Sequence, residues 1–333
     1  MQGCELACNS GDSVVPRCIT AFVHFARYGH PHRMTSELLP VEITSTILGA
    51  KIAILTLVQP GRPVVVIEQE LLEQLDSTLD SLPDDLDGFI LASAADRAFV
   101  AGADLKAIME LTDKDLETYL EFGARVFQKI ADLPCPTAAA IHSVALGGGL
   151  ELAMHCDGLI GVIDPDAKPF IIGLPEAGLK ICPGWGGTNL LPARIDPKAA
   201  IVATANGIPF KSTIAHDLGL FDAICTTQDD LINTATAWLS NQPKPNRTGT
   251  PSRCIQTIDN DQIELALEDA SDEIGSSLHV DAVLDAVKVG INSGWNSALQ
   301  SERDHLVRLR NTEPAKIAIE SFFAKTATKS EKK

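Results

Sequence analysis

Two glutamates lie where a charge is costly. Glu151 falls two residues past a run of three glycines in ALGGGLELAMHCD (145–157), and Glu176 sits between a proline and a small-residue turn in GLPEAGLKICPGWGGTNLLPARI (173–195). Both segments are otherwise largely apolar, so each carboxylate must be desolvated, which is unfavourable unless the group is paired or used. Two such groups can divide acid and base work if their surroundings separate their proton affinities.

The glycines supply complementary chemistry. Gly147, Gly148 and Gly149 stand between a strand-like and a helix-like run, where glycine allows a tight turn and a close approach of backbone N–H groups to a ligand. The helix N-terminus adds the positive end of its dipole. AFVAGADLKAI (98–108) repeats the order of strand, small residues and helix start, and offers a second backbone donor. Two donor turns beside two carboxylates form an inventory for polarising a carbonyl and moving a proton next to it. Taken singly, the glycines also fit a close-packed turn, and Glu151 a first-turn carboxylate favoured by the dipole. Neither GGGLEL nor GWGGTN completes G-x-G-x-x-G, and the chain has no GK[ST] loop and no GxSxG elbow.

The elements that must carry these residues follow from periodicity. KIAILTLV (51–58) reads as a strand closed by the turn signal QPGRP. In EQELLEQLDSTLDSL, Leu71, Leu72, Leu75, Leu79 and Leu82 fall on one helical face. GFILAS (88–93) reads as a buried strand, DLETYLEFGARVFQKIADL (115–133) as a helix, PTAAAIHSVAL as one strand running into the glycines, and GLIGVI (158–163) as a further strand. Helices alternating with short strands predict an α/β fold, without a repeat of fixed period. NQPKPNRTGTPSRC (241–254) is the evident linker; IELALEDASDEI, VDAVLDAVKVGINSGW and PAKIAIESFFAK beyond it read as amphipathic helices. The expected organisation is a disordered tail over 1–33, a catalytic domain over 45–240 and a helical subdomain over 255–325.

Composition narrows the function. With 333 residues, 45% of them hydrophobic, the chain can bury a large core, and a net charge of −17 opposes nucleic acid and anionic membrane surfaces as partners. No apolar run reaches the ~18 residues of a membrane helix. Eight cysteines (4, 8, 18, 135, 156, 182, 225, 254) show no CxxC pair, which argues against a disulfide framework or zinc site and for a reducing, cytoplasmic setting. ITAFVHFA (19–26) is too short for a signal-peptide core, and Met34 offers a second translation start. HPH (30–32) is at most an adventitious metal tract. His142 and His155 lack metal-ligand partners in the pattern and read as structural, as do Asp104 and Asp157 at a helix start and a turn.

AFVAGADL, ALGGGLELAMHCD and GLPEAGLKICPGWGGTNLLPARI, in that order, resemble the successive signatures of the crotonase (enoyl-CoA hydratase/isomerase) superfamily. IPFKSTIAHDLGLFDAI (208–224) resembles its later helix and strand, so the likeness covers 45–240. IDPDAKPFIIGLPE and the terminal FFAK are most similar to the hydratase half of the multifunctional fatty-oxidation alpha subunit, without its dehydrogenase half.

The resemblance implies a crotonase-like spiral of ββα units with a C-terminal helical subdomain, assembled as a homotrimer or hexamer. It implies an oxyanion hole from the N–H groups of Ala103 and Gly148, catalysis by Glu151 and Glu176, and an acyl-CoA thioester held by Ala101, Gly102, Asp104, Leu105, Gly147, Gly149, Pro175, Gly184 and Trp185. The expected activity is hydration of trans-2-enoyl-CoA to 3-hydroxyacyl-CoA in fatty-acid β-oxidation, with no metal and no cofactor beyond the coenzyme A of the substrate. An isomerase, a 3-hydroxyacyl-CoA hydrolase and a non-catalytic CoA-thioester-binding subunit are the alternatives. A separate 3-hydroxyacyl-CoA dehydrogenase or thiolase is the implied partner. Lys325 resembles a lysine that lies near the adenine or phosphates of coenzyme A in relatives. Departures from the family pattern are Ser143 for the usual glycine, which would crowd or shift the approach to the oxyanion turn, and Trp185 for a smaller residue, which would shape the acyl pocket. RPVVVI (62–67) lacks the common asparagine, and TNLLPARI departs from the usual run.

Overall fold

The computed structural model describes residues 37–330; the expected tail, Met34, HPH and Cys4, Cys8 and Cys18 lie outside them. The strands are β1 (Val41–Ser45), β2 (Lys51–Leu57), β3 (Gly88–Ser93), β4 (Ala98–Val100), β5 (Thr137–Ile141), β6 (Val144–Leu146), β7 (Gly158–Val162), β8 (Ile171–Gly173), β9 (Phe210–Lys211) and β10 (Ala223–Cys225). They form a six-stranded sheet in the order β1-β2-β3-β5-β7-β10 and a four-stranded sheet in the order β4-β6-β8-β9. Pairing is parallel except at the two edges, β1 on β2 and β9 on β8.

The large sheet is covered on both faces, which is why its central strands read as nearly continuous apolar runs. Ile52, Ile90, Ala138, Ala140 and Ile160 meet Leu231, Ala235 and Leu239 on one face. Alternate residues Ala53, Leu55, Leu57, Phe89, Leu91, Ala139 and Ile141 enter the main core on the other.

PTAAAIHSVAL is not one strand. It breaks at His142 and Ser143, so β5 belongs to the large sheet and β6 to the small one. β3 and β4 part in the same way one ββα unit earlier. Side chains join the two breaks: His142 Nε2 lies 2.7 Å from Ala95 O, and Ser143 Oγ donates to Arg97 O at 3.1 Å. An apolar run of eleven residues carries no mark of that sheet change, because both halves are equally apolar.

The helices are α1 (Gln69–Asp80), α2 (Leu105–Glu110), α3 (Asp113–Ala131), α4 (Gly148–Met154), α5 (Gly187–Leu190), α6 (Pro197–Asn206), α7 (Ser212–Asp217), α8 (Leu231–Ser240), α9 (Asn260–Glu273), α10 (Leu278–Ser293), α11 (Trp295–Arg310) and α12 (Glu313–Ser330). α1 buries Leu71, Leu72, Leu75 and Leu79, as its spacing requires. α11 is absent from the periodicity reading. Its buried face mixes Trp295, Ala298, Leu299 and Leu306 with two charges, Glu302 and Arg310, and these interrupt the apolar stripe. It packs on α10 and α3. Among the described residues, no helix is long and apolar enough to cross a membrane.

The segment 241–254 has no helix or strand, yet it is strapped to the sheet-bearing half. The Arg247 guanidinium holds both Asp157 carboxylate oxygens (2.7 and 2.8 Å) and donates to Leu133 O (2.8 Å) and Cys135 O (2.7 Å). Burial works against the Asp157 charge, but the hydrogen bonds and charge of Arg247 hold its pKa below the usual carboxylate range. Asp157 is thus a structural anchor.

Candidate active site

Three adjacent parallel strands set the site. β4, β6 and β8 lie side by side, Ala98 opposite Val144 and Leu146 opposite Gly173, so their carboxyl ends open on one edge. Parallel strands deliver the segments that follow them to a common place. Here these are the turn 101–104, the glycine turn with α4, and the 3₁₀ turn Glu176–Leu179.

At the first turn, Ile67 N donates to Gly102 O and Asp104 N donates to Ile67 O, both at 2.9 Å. That parallel bridge uses the groups on either side of Ala103 and turns the Ala103 N–H to the opposite side of the ribbon. Asp104 Oδ1 accepts from Lys106 N (2.9 Å) and Ala107 N (3.3 Å), capping α2. At the second turn Gly147 adopts φ 54° and ψ −129°, a backbone region essentially confined to glycine. Its N–H donates to Gly173 O at 2.9 Å, joining the turn to the end of β8. Gly148 follows as the first residue of α4, where an N–H has no intrahelical acceptor.

Glu151 is 1% exposed. Its Oε1 accepts from Trp185 N and Gly187 N, each at 2.8 Å. Burial first, then the like charges of Glu302 and Glu176, push its pKa well above the carboxylate range, although the two N–H donors favour the anion. Glu176 lies over Gly147, where a Cβ would stand 2.5 Å from Glu176 Oε1. Its Oε2 is buried with no hydrogen-bond partner, and burial pushes its pKa up to about 8, with the Glu302 charge adding to the rise.

Glu302 on α11 is the residue that sequence reasoning missed. Fully buried, it accepts from Gly186 N (2.5 Å), Thr188 N (2.8 Å) and Thr188 Oγ1 (2.5 Å). Burial raises its pKa against those bonds. Three carboxylates in one desolvated cluster cannot all be ionised at once, so the cluster retains protons toward neutral pH.

A cavity of about 310 Å³ opens on Glu151 and Glu176, with Glu302 behind its wall. Of the expected site residues, Ala101, Gly102, Ala103, Leu105, Gly147, Gly148, Glu151, Pro175, Glu176, Gly184 and Trp185 line it. Asp104 and Gly149 do not: Asp104 is occupied as the α2 cap, and a Cβ on Gly149 would stand 2.4 Å from Val100 O. Ile108, Leu120, Leu179, Ile181, Leu306 and Phe322 complete an apolar wall; Ile108, Leu120 and Phe322 fall in runs that read as helices, Leu179 and Ile181 in the motif of Glu176, and Leu306 on α11, outside the periodicity reading. Trp185 fills the space between Gly123 and Gly148, tilts against Phe127 at 5.2 Å between ring centroids, and donates from Nε1 to Leu120 O at 2.9 Å. Ser143 is not in the wall, since its hydroxyl is directed to Arg97 O. His155 Nδ1 lies 2.8 Å from Glu151 O, and burial lowers its pKa to about 4, so the ring is neutral there. Lys325 is exposed on α12 and outside the wall.

Residues 48–250 match the family described as enoyl-CoA hydratase/isomerase. The fatty acid oxidation complex subunit alpha of Aliivibrio fischeri is 30% identical over 292 residues, which is 85% of this chain and 42% of that protein. The chain therefore spans about two fifths of the length of that relative. Two solved structures share the fold. A carnitinyl-CoA dehydratase from Mycobacterium thermoresistibile matches with a TM-score of 0.62 and 18% identity over 85% of this chain and 89% of that one. An enoyl-CoA hydratase from Bacillus anthracis matches with a TM-score of 0.51 and 24% identity over 86% and 96%. The family match across the three strand-end turns, on a crotonase-like spiral of ββα units carrying C-terminal helices, means that the chain belongs to the enoyl-CoA hydratase/isomerase (crotonase) family.

Proposed function

We propose that the protein is an enoyl-CoA hydratase, adding water across the 2,3 double bond of a trans-2-enoyl-CoA to give the 3-hydroxyacyl-CoA. The observation that carries this reading is the meeting of two buried carboxylates with two backbone donor turns on one cavity wall. An enoyl thioester is a poor electrophile until charge can build on its carbonyl oxygen. The N–H groups of Ala103 and Gly148 would receive that charge, and loss of one such donor typically costs ~3 kcal/mol of transition-state stabilisation. Water is held between Glu151 and Glu176. One carboxylate takes the proton of the attacking water as oxygen bonds to the β-carbon, and the other delivers a proton to the α-carbon, so the elements of water are added and no group leaves. The raised proton affinity of the carboxylate cluster supports this division, since it leaves a protonated acid beside an ionised base.

The likeness to a fatty acid oxidation complex subunit supports a place in fatty-acid β-oxidation. A homotrimer or hexamer that passes its product to a separate dehydrogenase or thiolase accompanies the same reading. The test is hydration of crotonyl-CoA and a longer 2-enoyl-CoA, followed by loss of the conjugated-thioester absorbance, for wild type, Glu151→Gln and Glu176→Gln. Each substitution is expected to lower kcat by roughly 10²–10⁴-fold with the fold intact. A wild type that binds CoA thioesters without hydrating them would overturn the reading.

A further inference from the structure

Four successive N–H groups of the turn after Gly184 are divided between two carboxylates. Trp185 and Gly187 donate to Glu151 Oε1; Gly186 and Thr188 donate to Glu302. The turn is thus a ribbon held from both sides, one by α4 and the other by α11. Further contacts from α11 lie along it. A Cβ on Gly186 would stand 2.3 Å from the Trp295 ring, and one on Gly184 would stand 3.1 Å from Leu306, which also lines the cavity. The Thr188 hydroxyl accepts from Asn189 Nδ2 at 2.9 Å, which directs its own proton to Glu302. Both Glu302 oxygens therefore face donors, an arrangement that matches a carboxylate and no amide.

We propose that Glu302 is a positioning residue for Glu151: it grips the far side of the Trp185–Thr188 turn and so sets where the Glu151 carboxyl stands and the charge it meets. Glu302 does not act on the substrate. The titratable groups around it are Glu151 and Glu176 across the turn and the Cys182 thiol, whose pKa burial pushes up. Arg303 lies on its own helix. Toward α10 stands Asp285, paired with His305 at 2.7 Å, and toward α3 stands Asp113, paired with Arg310 at 2.5 Å. The Asp113 charge is thus matched by Arg310, and the Asp285 carboxylate is hydrogen-bonded to His305. Glu302 and Glu176 are the like charges that act on Glu151.

The kinetic arm of the test rests on the hydratase reading; the spectroscopic arm does not. Infrared difference spectra against Glu151→Gln isolate the protonated carboxyl band of Glu151, and its pH midpoint can be followed without turnover. In Glu302→Gln the midpoint is expected to fall by at least about half a pH unit, because a neighbouring negative charge is gone. Glu302→Asp keeps the charge but withdraws it by one methylene, so its midpoint stays nearer the wild-type value. In both variants kcat for enoyl-CoA hydration is expected to drop on the order of 10-fold or more, with KM within about threefold, through misplacement of Glu151. If Glu302→Gln does not fold, Thr188→Ala removes one donor to Glu302, makes Glu302 easier to protonate, and moves the midpoint in the same direction by less. An unchanged Glu151 midpoint in the folded variant overturns the proposal whatever the activity. An inactive wild type whose midpoint still moves in Glu302→Gln would overturn the hydratase reading and leave this one standing.

Discussion

Gly147→Ala is the sharpest perturbation of the site, because one methyl group acts on the backbone and on the place of the Glu176 carboxyl together. At φ 54° and ψ −129°, a side chain strains the backbone by about 1–3 kcal/mol. The new Cβ would stand 2.5 Å from Glu176 Oε1, where ordinary contact begins near 3.4 Å, so the carboxyl must retreat by about 0.9 Å. A displacement of about that size at a reacting group lowers rate by on the order of 10²-fold. Two measurements check the argument: urea denaturation, with an expected loss of about 1–3 kcal/mol, and hydration of crotonyl-CoA, with an expected fall in kcat/KM of roughly 10- to 100-fold. A double-mutant cycle separates the causes. With Glu176→Gln already in place, Gly147→Ala should remove little further activity while still destabilising the fold. Additive activity losses, or a Gly147→Ala enzyme within about threefold of wild type and about 0.5 kcal/mol of its stability, would refute the reasoning.

Two more outcomes follow from the same structure. Burial, reinforced by the Glu302 charge, raises the Glu176 pKa from 4.5 to about 8 in the folded protein, so the folded state holds protons that the unfolded state has released. This contribution to stability is full below pH 4.5 and declines as pH rises to about 8. The difference between wild type and Glu176→Gln, measured by denaturation across that range, should change by a few kcal/mol in favour of the variant as pH rises; parallel curves would contradict the linkage. Arg247→Ala should cost about 3 kcal/mol in urea denaturation, since it leaves the Asp157 charge largely buried without its cation, and should leave hydration kinetics within about twofold of wild type, as Arg247 lies outside the cavity wall; a loss below about 1 kcal/mol would show that segment 241–254 is not anchored there.

What the sequence makes legible is chemistry that breaks a local rule. Glycines at a strand end, and carboxylates in apolar runs, are conspicuous because propensity and solvation disfavour them unless a turn or a reaction requires them. The strand and helix runs of the first half are legible for the opposite reason: GFILAS is a plain apolar run and the leucines of EQELLEQLDSTLDSL keep a helical period, and the structure returns them as β3 and α1, except that the helix stops at Asp80 and leaves Leu82 beyond its end. The division of PTAAAIHSVAL between two sheets breaks no rule. His142 and Ser143 have no unusual propensity, and the bonds that mark the break reach to Ala95 and Arg97, more than forty residues away.

α11 shows why one carboxylate of the cluster stays hidden while the other two do not. WNSALQSERDHLVRLR carries Trp295, Ala298, Leu299, Leu306 and Leu309 at helical spacing, but Glu302 and Arg310 occupy the same buried face. Read as solvated charges they break the stripe. Folded, each meets donors or acceptors more than 100 positions distant: Glu302 the 186–188 turn, Arg310 the Ile108 carbonyl and Asp113. A buried charge is tolerated only with such partners, and partners supplied by another part of the chain leave no trace in the local pattern. α11 therefore reaches both parts of the site: Arg310 grips α2 just beyond the first donor turn, and Glu302 grips the turn that holds Glu151. The residues that read as the weakest part of the C-terminal helices are the ones that tie those helices to the chemistry.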